Sequence, residues 1–375
     1  MTGLRTYLDH NATTPLRPSA RDAMIAALDR VGNPSSVHGE GRRARAVVEK
    51  ARAQVAAMVG CLPRNIVFTS GATEANATVI GQSRWASVAA AGVEHPSVMV
   101  SARRHGDRFT ELPVDHDGQV ELAAIRDWLD ATVDGNKLLS VQWANNETGV
   151  LQPIVEIADL VAEAGAFLHV DAVQAVGREA VDVSQMPISY LTLSSHKIGG
   201  PMGAGAIVQG CDGEIKTPLI PGGGQEHNLR AGTENVAGLA GFGAAAVEAS
   251  VDLAQVERLR SLRDSLEKRL PQLSPDCVVL GANAPRLPNT TAIAVPGMKA
   301  ETMVIAFDLA GFAVSSGSAC SSGKVGRSAV VDAMGLPPEL GQGMLRISLG
   351  WTTDETDIER FLKGWTSVVK SKCSA

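Results

Sequence analysis

Phe167-Leu-His-Val-Asp171 joins a short apolar run to an acidic side chain, and runs of this kind decide the fold class. Four further runs are each apolar enough to be a strand that is buried on both faces. They span residues 66–69, 138–142, 190–193 and 206–208. Helix-like periodic segments alternate with them between residues 17 and 210, as in a parallel sheet covered by helices. The sequence therefore predicts an α/β fold with a mainly parallel sheet.

The remaining segments predict the helices and a second domain. A helical period runs through residues 18–30 and 40–59, and a longer helical region lies at about 233–270. Strand-like runs follow near residues 278, 292–295 and 345–349, and a last helix starts at Asp354. A chain of 375 residues is long for one simple domain. We predict a large domain of residues 16–255 and a smaller α+β domain formed by residues 1–15 and 256–375.

Composition excludes several classes of function. The net charge of -6, without a long Lys/Arg run, argues against nucleic acid or an anionic membrane as a direct partner. The five cysteines are scattered and form no Cys-x-x-Cys pair, so neither a disulfide framework nor a zinc site is indicated. The first residues lack an apolar signal region, and the Ala/Gly-rich stretch 237–249 is too short to span a bilayer. We expect a cytoplasmic protein that binds no metal.

A first candidate binding motif is Thr69-Ser-Gly-Ala-Thr-Glu74, where a strand ends and runs through a glycine into a helix. Free backbone N–H groups at a helix N-terminus, together with a hydroxyl group, suit a phosphate. The motif is therefore a candidate phosphate site. Strand–glycine–helix turns are also common in α/β proteins without any ligand, so a purely structural role remains an alternative.

A second candidate is Asp171, which ends its strand at the edge where open α/β sheets bind ligands. A carboxylate at this edge can pair with a protonated ring nitrogen. It can also serve as the N-cap of a following helix. A metal site formed with His169 is a further alternative, but no third ligand has a recognisable spacing.

A third candidate is Lys197, which follows a buried strand in Leu193-Ser-Ser-His-Lys-Ile-Gly-Gly200. A lysine in such a position can form a Schiff base, and a lysine with an aspartate at the ring nitrogen is the common core of pyridoxal-phosphate sites. The alternative is a surface lysine whose stem is buried and whose amine reaches the solvent.

Taken together, the motifs resemble those of the cysteine desulfurases, which are pyridoxal-phosphate enzymes of aminotransferase fold type I. The resemblance covers nearly the whole chain and departs from the family at Ala77, where a second asparagine is usual, and at His227-Asn228, where Arg-Gly is usual. The matching motifs are Ser70-Gly-Ala-Thr-Glu74, Glu94-His95, Asn145-Asn-Glu-Thr-Gly149, His169-Val-Asp-Ala-Val-Gln174, Ser194-Ser-His-Lys197, Gly222-Gly-Gly-Gln-Glu226, Arg230-Ala-Gly-Thr233, Ser315-Ser-Gly-Ser-Ala-Cys320 and Arg346-Ile-Ser348.

The resemblance implies a role for each matching residue. Lys197 would hold the cofactor as a Schiff base, Asp171 would face the pyridine nitrogen, and Gln174 the ring hydroxyl. His95 would stack on the ring and assist proton transfer. The residues implied for the phosphate are Ala72, Thr73, Ser194, His196 and, from a second subunit of a homodimer, Thr233. Those implied for the substrate carboxylate are Asn146 and Arg346, the latter as a bidentate fork.

The implied reaction converts L-cysteine to L-alanine and transfers the sulfur to Cys320 as a persulfide. Cys320 lies in a Ser/Gly-rich stretch at about residues 314–326, which predicts a mobile loop of the small domain. The alternative is a buried, inert thiol. The persulfide would pass to an acceptor protein, such as a sulfur carrier or an iron–sulfur scaffold, for cluster assembly or for modification of tRNA or thio-cofactors.

Three other functions remain open at the level of sequence. A selenocysteine lyase or related lyase on the same fold would keep Lys197, Asp171 and Arg346 but would need Cys320 less. In a transaminase, the Ser/Gly-rich loop that carries Cys320 would have no function. A non-catalytic sulfur-transfer scaffold requires an incomplete site, whereas every implied catalytic position is present in this chain.

Overall fold

The computed structural model describes residues 5–131, 135–317 and 328–373. Cys320 and most of the predicted loop at 314–326 lie outside these residues. The strands are β1 Thr6–Tyr7, β2 Ile66–Thr69, β3 Trp85–Ala91, β4 Phe109–Leu112, β5 Asn136–Gln142, β6 Phe167–Asp171, β7 Tyr190–Ser194, β8 Gly205–Gln209, β9 Val278–Val279, β10 Thr290–Ala294, β11 Phe312–Ala313, β12 Ser315–Ser316 and β13 Met344–Ser348. The helices are α1 Pro18–Leu28, α2 Gly39–Met58, α3 Ala72–Ile80, α4 Pro96–Arg103, α5 Leu122–Ala131, α6 Ile154–Glu163, α7 Val236–Asp252, α8 Val256–Leu273, α9 Ala300–Leu309, α10 Ala329–Ala333, α11 Pro338–Gln342 and α12 Glu355–Cys373.

A seven-stranded mixed sheet forms the centre of the structure, with the order β2-β8-β7-β6-β5-β3-β4. The strands from β7 to β4 are parallel to their neighbours, whereas β8 is antiparallel to both β2 and β7. Strands β2, β5, β6 and β7 are almost entirely buried, because helices cover both faces of the sheet. The predicted α/β fold with a mainly parallel mixed sheet is confirmed.

Two strands of the central sheet were not predicted. Strand β3 has the sequence Trp-Ala-Ser-Val-Ala-Ala-Ala, and alanine favours helices when it is considered alone. Its small side chains are buried between the two helical layers, so tertiary packing decides its conformation. Strand β4 is at the edge of the sheet and is partly exposed, so it lacks the continuous apolar run of the others.

A second, four-stranded antiparallel sheet has the order β12-β13-β10-β9. Beside it, β1 pairs in parallel with β11, so the start of the chain lies against residues that come some 300 positions later. Leu8 belongs to the apolar core of this second sheet, together with side chains from α8 and α12. The proposed domain boundaries at residues 15 and 255 remain a prediction.

Helix α7 is buried against α1 and α2. The stretch Val236–Leu273, which contains α7 and α8, is long and apolar enough to cross a membrane by length and composition alone. Glycine and alanine fill α7 because neighbouring helices approach it closely: a Cβ atom at Gly243 would lie 2.7 Å from the Cα atom of Ala51. Close helix packing therefore accounts for the apolar composition of α7.

Candidate active site

A cleft of about 500 Å³ opens at the carboxyl ends of the central strands. This is the edge at which open α/β sheets bind ligands. Nine predicted site residues line it: Ala72, Thr73, His95, Asn146, Asp171, Gln174, Ser194, His196 and Lys197. They come from segments more than 120 residues apart, so the fold itself brings them together.

Lys197 lies in a single 3-10 turn, Ser195–Lys197, that directly follows β7. Its Nζ donates to the backbone carbonyl oxygens of Asn11 at 2.5 Å and Ala12 at 2.9 Å. The amine is therefore held inside the cleft, and the alternative of a solvent-reaching surface lysine is wrong. A half-buried amine at this position can attack a carbonyl group that enters the cleft.

Asp171 is 6% exposed and uses both carboxylate oxygens. Oδ1 accepts from the backbone N–H of Val173 at 3.0 Å, and Oδ2 accepts from the side-chain amide of Asn76 at 2.9 Å. A turn, and not a helix, follows the strand, so the N-cap interpretation of Asp171 is wrong. The two donors fix the carboxylate and leave lone pairs for a third partner in the cleft.

His169 is buried within the sheet and belongs to no metal-binding cluster among the residues that the structure describes. Its Nδ1 lies 2.8 Å from the hydroxyl of Ser140, and its Nε2 lies 3.2 Å from that of Thr192. Burial lowers its pKa to about 4. With both ring nitrogens engaged by hydroxyl groups, the alternative of a metal ligand is wrong.

His95 is the N-cap of α4, and its Nδ1 accepts from the backbone N–H of Ser97 at 3.1 Å. The same nitrogen lies 2.8 Å from the hydroxyl of Ser97. Burial lowers the pKa of His95, and the charge of Lys197 lowers it further, although Asp171 opposes both effects. His95 is therefore a neutral imidazole whose acceptor nitrogen is occupied, so its proton resides on Nε2.

Helix α3 supplies a cradle for an anion at its N-terminus. It begins at Ala72, directly after Gly71, and no side chain caps it. Glu74 accepts from the backbone N–H of Ser70 at 2.8 Å and pairs with Arg230, whose Nε is 2.9 Å away. The negative charge of Glu74 is thereby neutralised, so the free N–H groups of the first turn can face a phosphate.

The donor set fits a phosphorylated pyridine aldehyde. Lys197 would provide the amine for the aldehyde, Asp171 the carboxylate for a ring N–H, and the start of α3 the anion cradle, and all three border one cleft. Ser194 and His196 line the same cleft. Burial and the nearby cations Lys197 and Arg178 lower the pKa of His196 to about 4, so it can act as a neutral hydrogen-bond donor to a phosphate.

Two described residues of the predicted site do not line the cleft. Thr233 is exposed and borders a neighbouring pocket with Ser70 and Gly203. Arg346 is buried, and it donates through Nη1 to the backbone carbonyl of Asn146 at 3.0 Å and through Nη2 to Asp9 at 2.7 Å. Its Nε has no hydrogen-bond partner among the described residues. Cys320 is among the residues that the structure does not describe.

Several residues that build the site were not identified from the sequence. The backbone of Asn11 and Ala12 holds Lys197, while Asn76 and Ser97 connect Asp171 with His95. Asn76 directly precedes Ala77, one of the positions at which the chain departs from the family. The polar stretch Asp9-His-Asn-Ala-Thr-Thr-Pro15 directly follows β1 and was the available signal for Asn11.

The departure at His227-Asn228 lies in a turn of unusual backbone conformation. Glu226, His227 and Asn228 have φ angles of 46°, 57° and 67°, which place all three in the left-handed region. Asparagine tolerates this region better than most residues, which explains how it can stand where the family usually has glycine. The turn is anchored by Glu226, which accepts two hydrogen bonds of 2.7 Å from the buried Arg52.

Comparison with known proteins places this geometry in context. The pattern of the family described as aminotransferase class-V matches residues 6–361. A cysteine desulfurase of Klebsiella pneumoniae is 40% identical over 362 residues, which cover 95% of this chain and 90% of the relative. One of Sinorhizobium fredii is 40% identical, with 97% of this chain and 96% of the relative covered. A solved NifS-like protein from Rickettsia africae has a TM-score of 0.91 and 35% identity, with 98% of this chain and 99% of that chain covered.

Proposed function

The chain belongs to the aminotransferase class-V family and, within it, to the cysteine desulfurases, and on this premise we propose how its residues release and carry sulfur. The substrate is L-cysteine, and the products are L-alanine and a sulfur atom bound to the protein. The observation that carries the proposal is that Lys197, Asp171 and the N-terminus of α3 border a single cleft.

The cofactor of the proposed enzyme is pyridoxal 5'-phosphate, which supplies a carbonyl group and a conjugated ring that accepts electrons from the substrate. Lys197 would hold it covalently, and Asp171 would keep its ring nitrogen protonated. Gln174 would bind the ring hydroxyl. The phosphate would lie against the first turn of α3, with the side chains of Thr73, Ser194 and His196 as further ligands.

The chain's own residues then bind the substrate and move its protons. Asn146 and Arg346 hold the substrate carboxylate; Arg346 reaches it by exchanging one of its present contacts, with Asp9 or with the carbonyl of Asn146, for the substrate. Once its amine is free, Lys197 removes the proton from the substrate Cα through Nζ and later returns it. His95 lies beside it with its N–H at Nε2 and serves as a neutral donor.

The sulfur leaves the substrate by transfer to Cys320. The Cys320 thiolate attacks the sulfur of the substrate, a new S–S bond forms, and the C–S bond breaks with its electron pair remaining on the substrate carbon. Protonation of that carbon gives alanine, and Cys320 carries a persulfide. We propose that an acceptor protein then takes this sulfur, for iron–sulfur cluster assembly or for thio-modification, in the cytoplasm.

We further propose that the enzyme is a homodimer. Thr233 is exposed at the rim of a pocket that shares Ser70 and Gly203 with the main cleft. A threonine at the rim of one protomer can reach the cleft of a second copy, whose phosphate cradle is open to the solvent at the exposed Thr73.

The test compares the wild type with two variants. Purified wild type should bind pyridoxal phosphate with a visible absorption band and should produce alanine and sulfide from L-cysteine when a reductant is present. Lys197→Ala should lose the band. Cys320→Ala should keep the band and lose sulfide production, whereas Cys211→Ala, which removes an exposed thiol, should behave as the wild type.

Two outcomes would contradict the proposal in different ways. A wild type that cannot be loaded with pyridoxal phosphate would exclude the enzyme. Full cysteine turnover in Cys320→Ala would exclude the persulfide step and would favour a lyase that acts on selenocysteine or a related substrate without a cysteine intermediate.

A further inference from the structure

Arg178 is a buried cation that contacts Gln174 and the backbone of Lys197, two residues that line the cleft. It is 6% exposed, and within the part of the chain that the structure describes its guanidinium donates only to neutral oxygens. The acceptors are the backbone oxygens of Gln174 at 3.0 Å, His10 at 3.3 Å and Lys197 at 3.3 Å, and the side-chain Oε1 of Gln174. A buried charge that no carboxylate neutralises is costly, so its presence beside Lys197 requires an explanation.

The contact with Gln174 determines how that side chain is oriented. A guanidinium can only donate hydrogen bonds, so the atom of the Gln174 amide that faces Arg178 must be the oxygen. The NH₂ group must then lie on the other side, where Nε2 donates to the carbonyl of Asn11 at 3.0 Å. An NH₂ group has two hydrogens, and Gln174 lines the cleft, so the second one is available to a ligand.

The charge of Arg178 acts on the groups around the same point. It lowers the pKa of His10 and of His196, in each case together with burial. The other charged groups close by are Lys197, which contributes to the shift at His196, and Arg346, which together with burial lowers the pKa of Arg178 itself to about 10. Arg178 and Lys197 therefore bring two positive charges to the surroundings of Gln174, whereas the charge of Arg346 is paired with Asp9.

We propose that Arg178 is a positioning residue for the cofactor: it forces Gln174 to present an N–H donor to the cleft, and its charge favours an anionic oxygen there. The ring hydroxyl of pyridoxal phosphate is the oxygen that would accept the hydrogen bond from Gln174 and be stabilised by the positive charge of Arg178. The inference rests on the proposed function, because it concerns the cofactor of that function.

The test uses two measurements that do not depend on turnover. The first is the affinity of the cofactor-free protein for pyridoxal phosphate. The second is the pH midpoint of the visible band of the loaded protein, which reports protonation at the bond between Lys197 and the cofactor. In Arg178→Met the loss of one oriented hydrogen bond should weaken binding about tenfold. Loss of the positive charge favours the protonated form, so the midpoint should rise by about one pH unit or more.

Arg178→Lys should rescue both properties, because lysine is also cationic and also only donates hydrogen bonds. Arg263→Met is the matched control: Arg263 is 7% exposed and its guanidinium also donates to a backbone carbonyl, that of Leu287 at 2.6 Å, but its hydrogen-bond partners Asp264, Arg286 and Leu287 do not line the cleft. The Arg263→Met protein should have a lower melting temperature than the wild type, with an unchanged pH midpoint of the visible band and an unchanged affinity for pyridoxal phosphate.

An Arg178→Met protein with wild-type midpoint and affinity would overturn the inference, as would an Arg178→Lys protein with the defects expected of Arg178→Met. If Arg178→Met does not fold, Arg178→Gln replaces it, since glutamine can still donate to the carbonyls of His10 and Lys197. Glutamine is neutral and its amide can also accept hydrogen bonds, so Arg178→Gln should show the same weaker binding of pyridoxal phosphate and the same higher pH midpoint. A wild type that binds no pyridoxal phosphate would instead refute the proposed function.

Discussion

The side-chain amide of Asn76 lies 2.9 Å from both Asp171 Oδ2 and Ser97 Oγ, and so connects the acid of the cleft with the residue that holds His95. Its oxygen accepts from the hydroxyl of Thr192 at 2.6 Å. Asn76 itself is fully buried, so each of these bonds is made away from the solvent. One buried residue of α3 thus links two candidate site residues, Asp171 and, through Ser97, His95.

Replacement of Asn76 by alanine should therefore affect both stability and cofactor binding. The hydroxyl of Thr192 and one oxygen of Asp171 would lose a partner, which should lower the free energy of unfolding by about 1–3 kcal/mol. Cofactor affinity should fall because the carboxylate is no longer fixed. Asn65→Ala, which removes a hydrogen bond to Gln209 at the far end of β8, should leave the affinity unchanged. Denaturant unfolding and cofactor titration measure the two effects.

Replacement of Ser97 by alanine should reduce the rate more than the binding of substrate. The hydroxyl of Ser97 contacts both His95 and Asn76, and without it the imidazole keeps only the backbone N–H of residue 97. Loss of one hydrogen bond to a catalytic group corresponds to about a tenfold lower kcat. Ser101→Ala, one turn later in α4, is the control. Equal kcat values for the two variants would show that Ser97 does not position His95.

The carboxyl group of Glu147 should make stability depend on pH. Burial raises its pKa to about 7, although the hydroxyl of Ser328 at 2.6 Å and the charge of Arg346 oppose this. Between the ordinary pKa and 7 the folded protein binds the proton more tightly than the unfolded chain, so this group lowers stability as pH rises through that window. Glu147→Gln should therefore raise the melting temperature more at pH 8 than at pH 5. Glu156→Gln, at an exposed position, should show no such difference.

The buried pair of Arg52 and Glu226 should be important for stability. The side chains are 4% and 3% exposed, and Glu226 also accepts from the backbone N–H of Phe68 on the edge strand β2. In Glu226→Gln, Arg52 would keep its charge but lose the carboxylate that pairs with its two Nη atoms. This loss should lower the free energy of unfolding by about 3 kcal/mol. The exposed pair of Arg269 and Glu359 is the comparison, and Glu359→Gln should leave the unfolding midpoint almost unchanged.

The proposed contribution of Thr233 to a second subunit can be tested with mixed dimers. Thr233→Ala should weaken cofactor binding in a pure dimer, and Lys197→Ala should abolish the visible band. In a dimer of one chain of each kind, the site with an intact Lys197 faces the chain with an intact Thr233. The mixed dimer should therefore bind one cofactor with wild-type affinity. Weak binding at that site would show that Thr233 acts within its own chain.

The sequence predicted the parts of the fold that depend on local pattern. Strands β2, β5, β6 and β7 were found within two residues of their predicted bounds. A short continuous apolar run between turn residues is compatible with few structures other than a buried strand. Strand β3 was missed because its alanines carry no strand signal, and the helical region at 233–270 proved to be two helices joined by a short 3-10 turn at Leu253–Gln255.

The candidate site was predictable where a motif carries its own chemistry, as at Lys197 and Asp171. Residues that act through their backbone atoms could not be recognised from their side chains. Nothing about the side chains of Asn11 and Ala12 indicates that their carbonyl oxygens hold an amine 185 residues or more away. Arg178 was equally hidden, because a basic residue after a glycine is usually on the surface and only packing reveals it as buried.

The parallel pairing of β1 with β11 has a consequence for biosynthesis. Asn11 and Ala12 follow β1, and β1 finds its partner only after residue 313 has been made. The amine of Lys197 is thus oriented by a segment whose partner strand is synthesised much later, and contacts between distant parts of a chain form late. A nascent chain would be unable to capture its cofactor before synthesis is nearly complete. Fusion partners joined close to Thr6 should delay this step most.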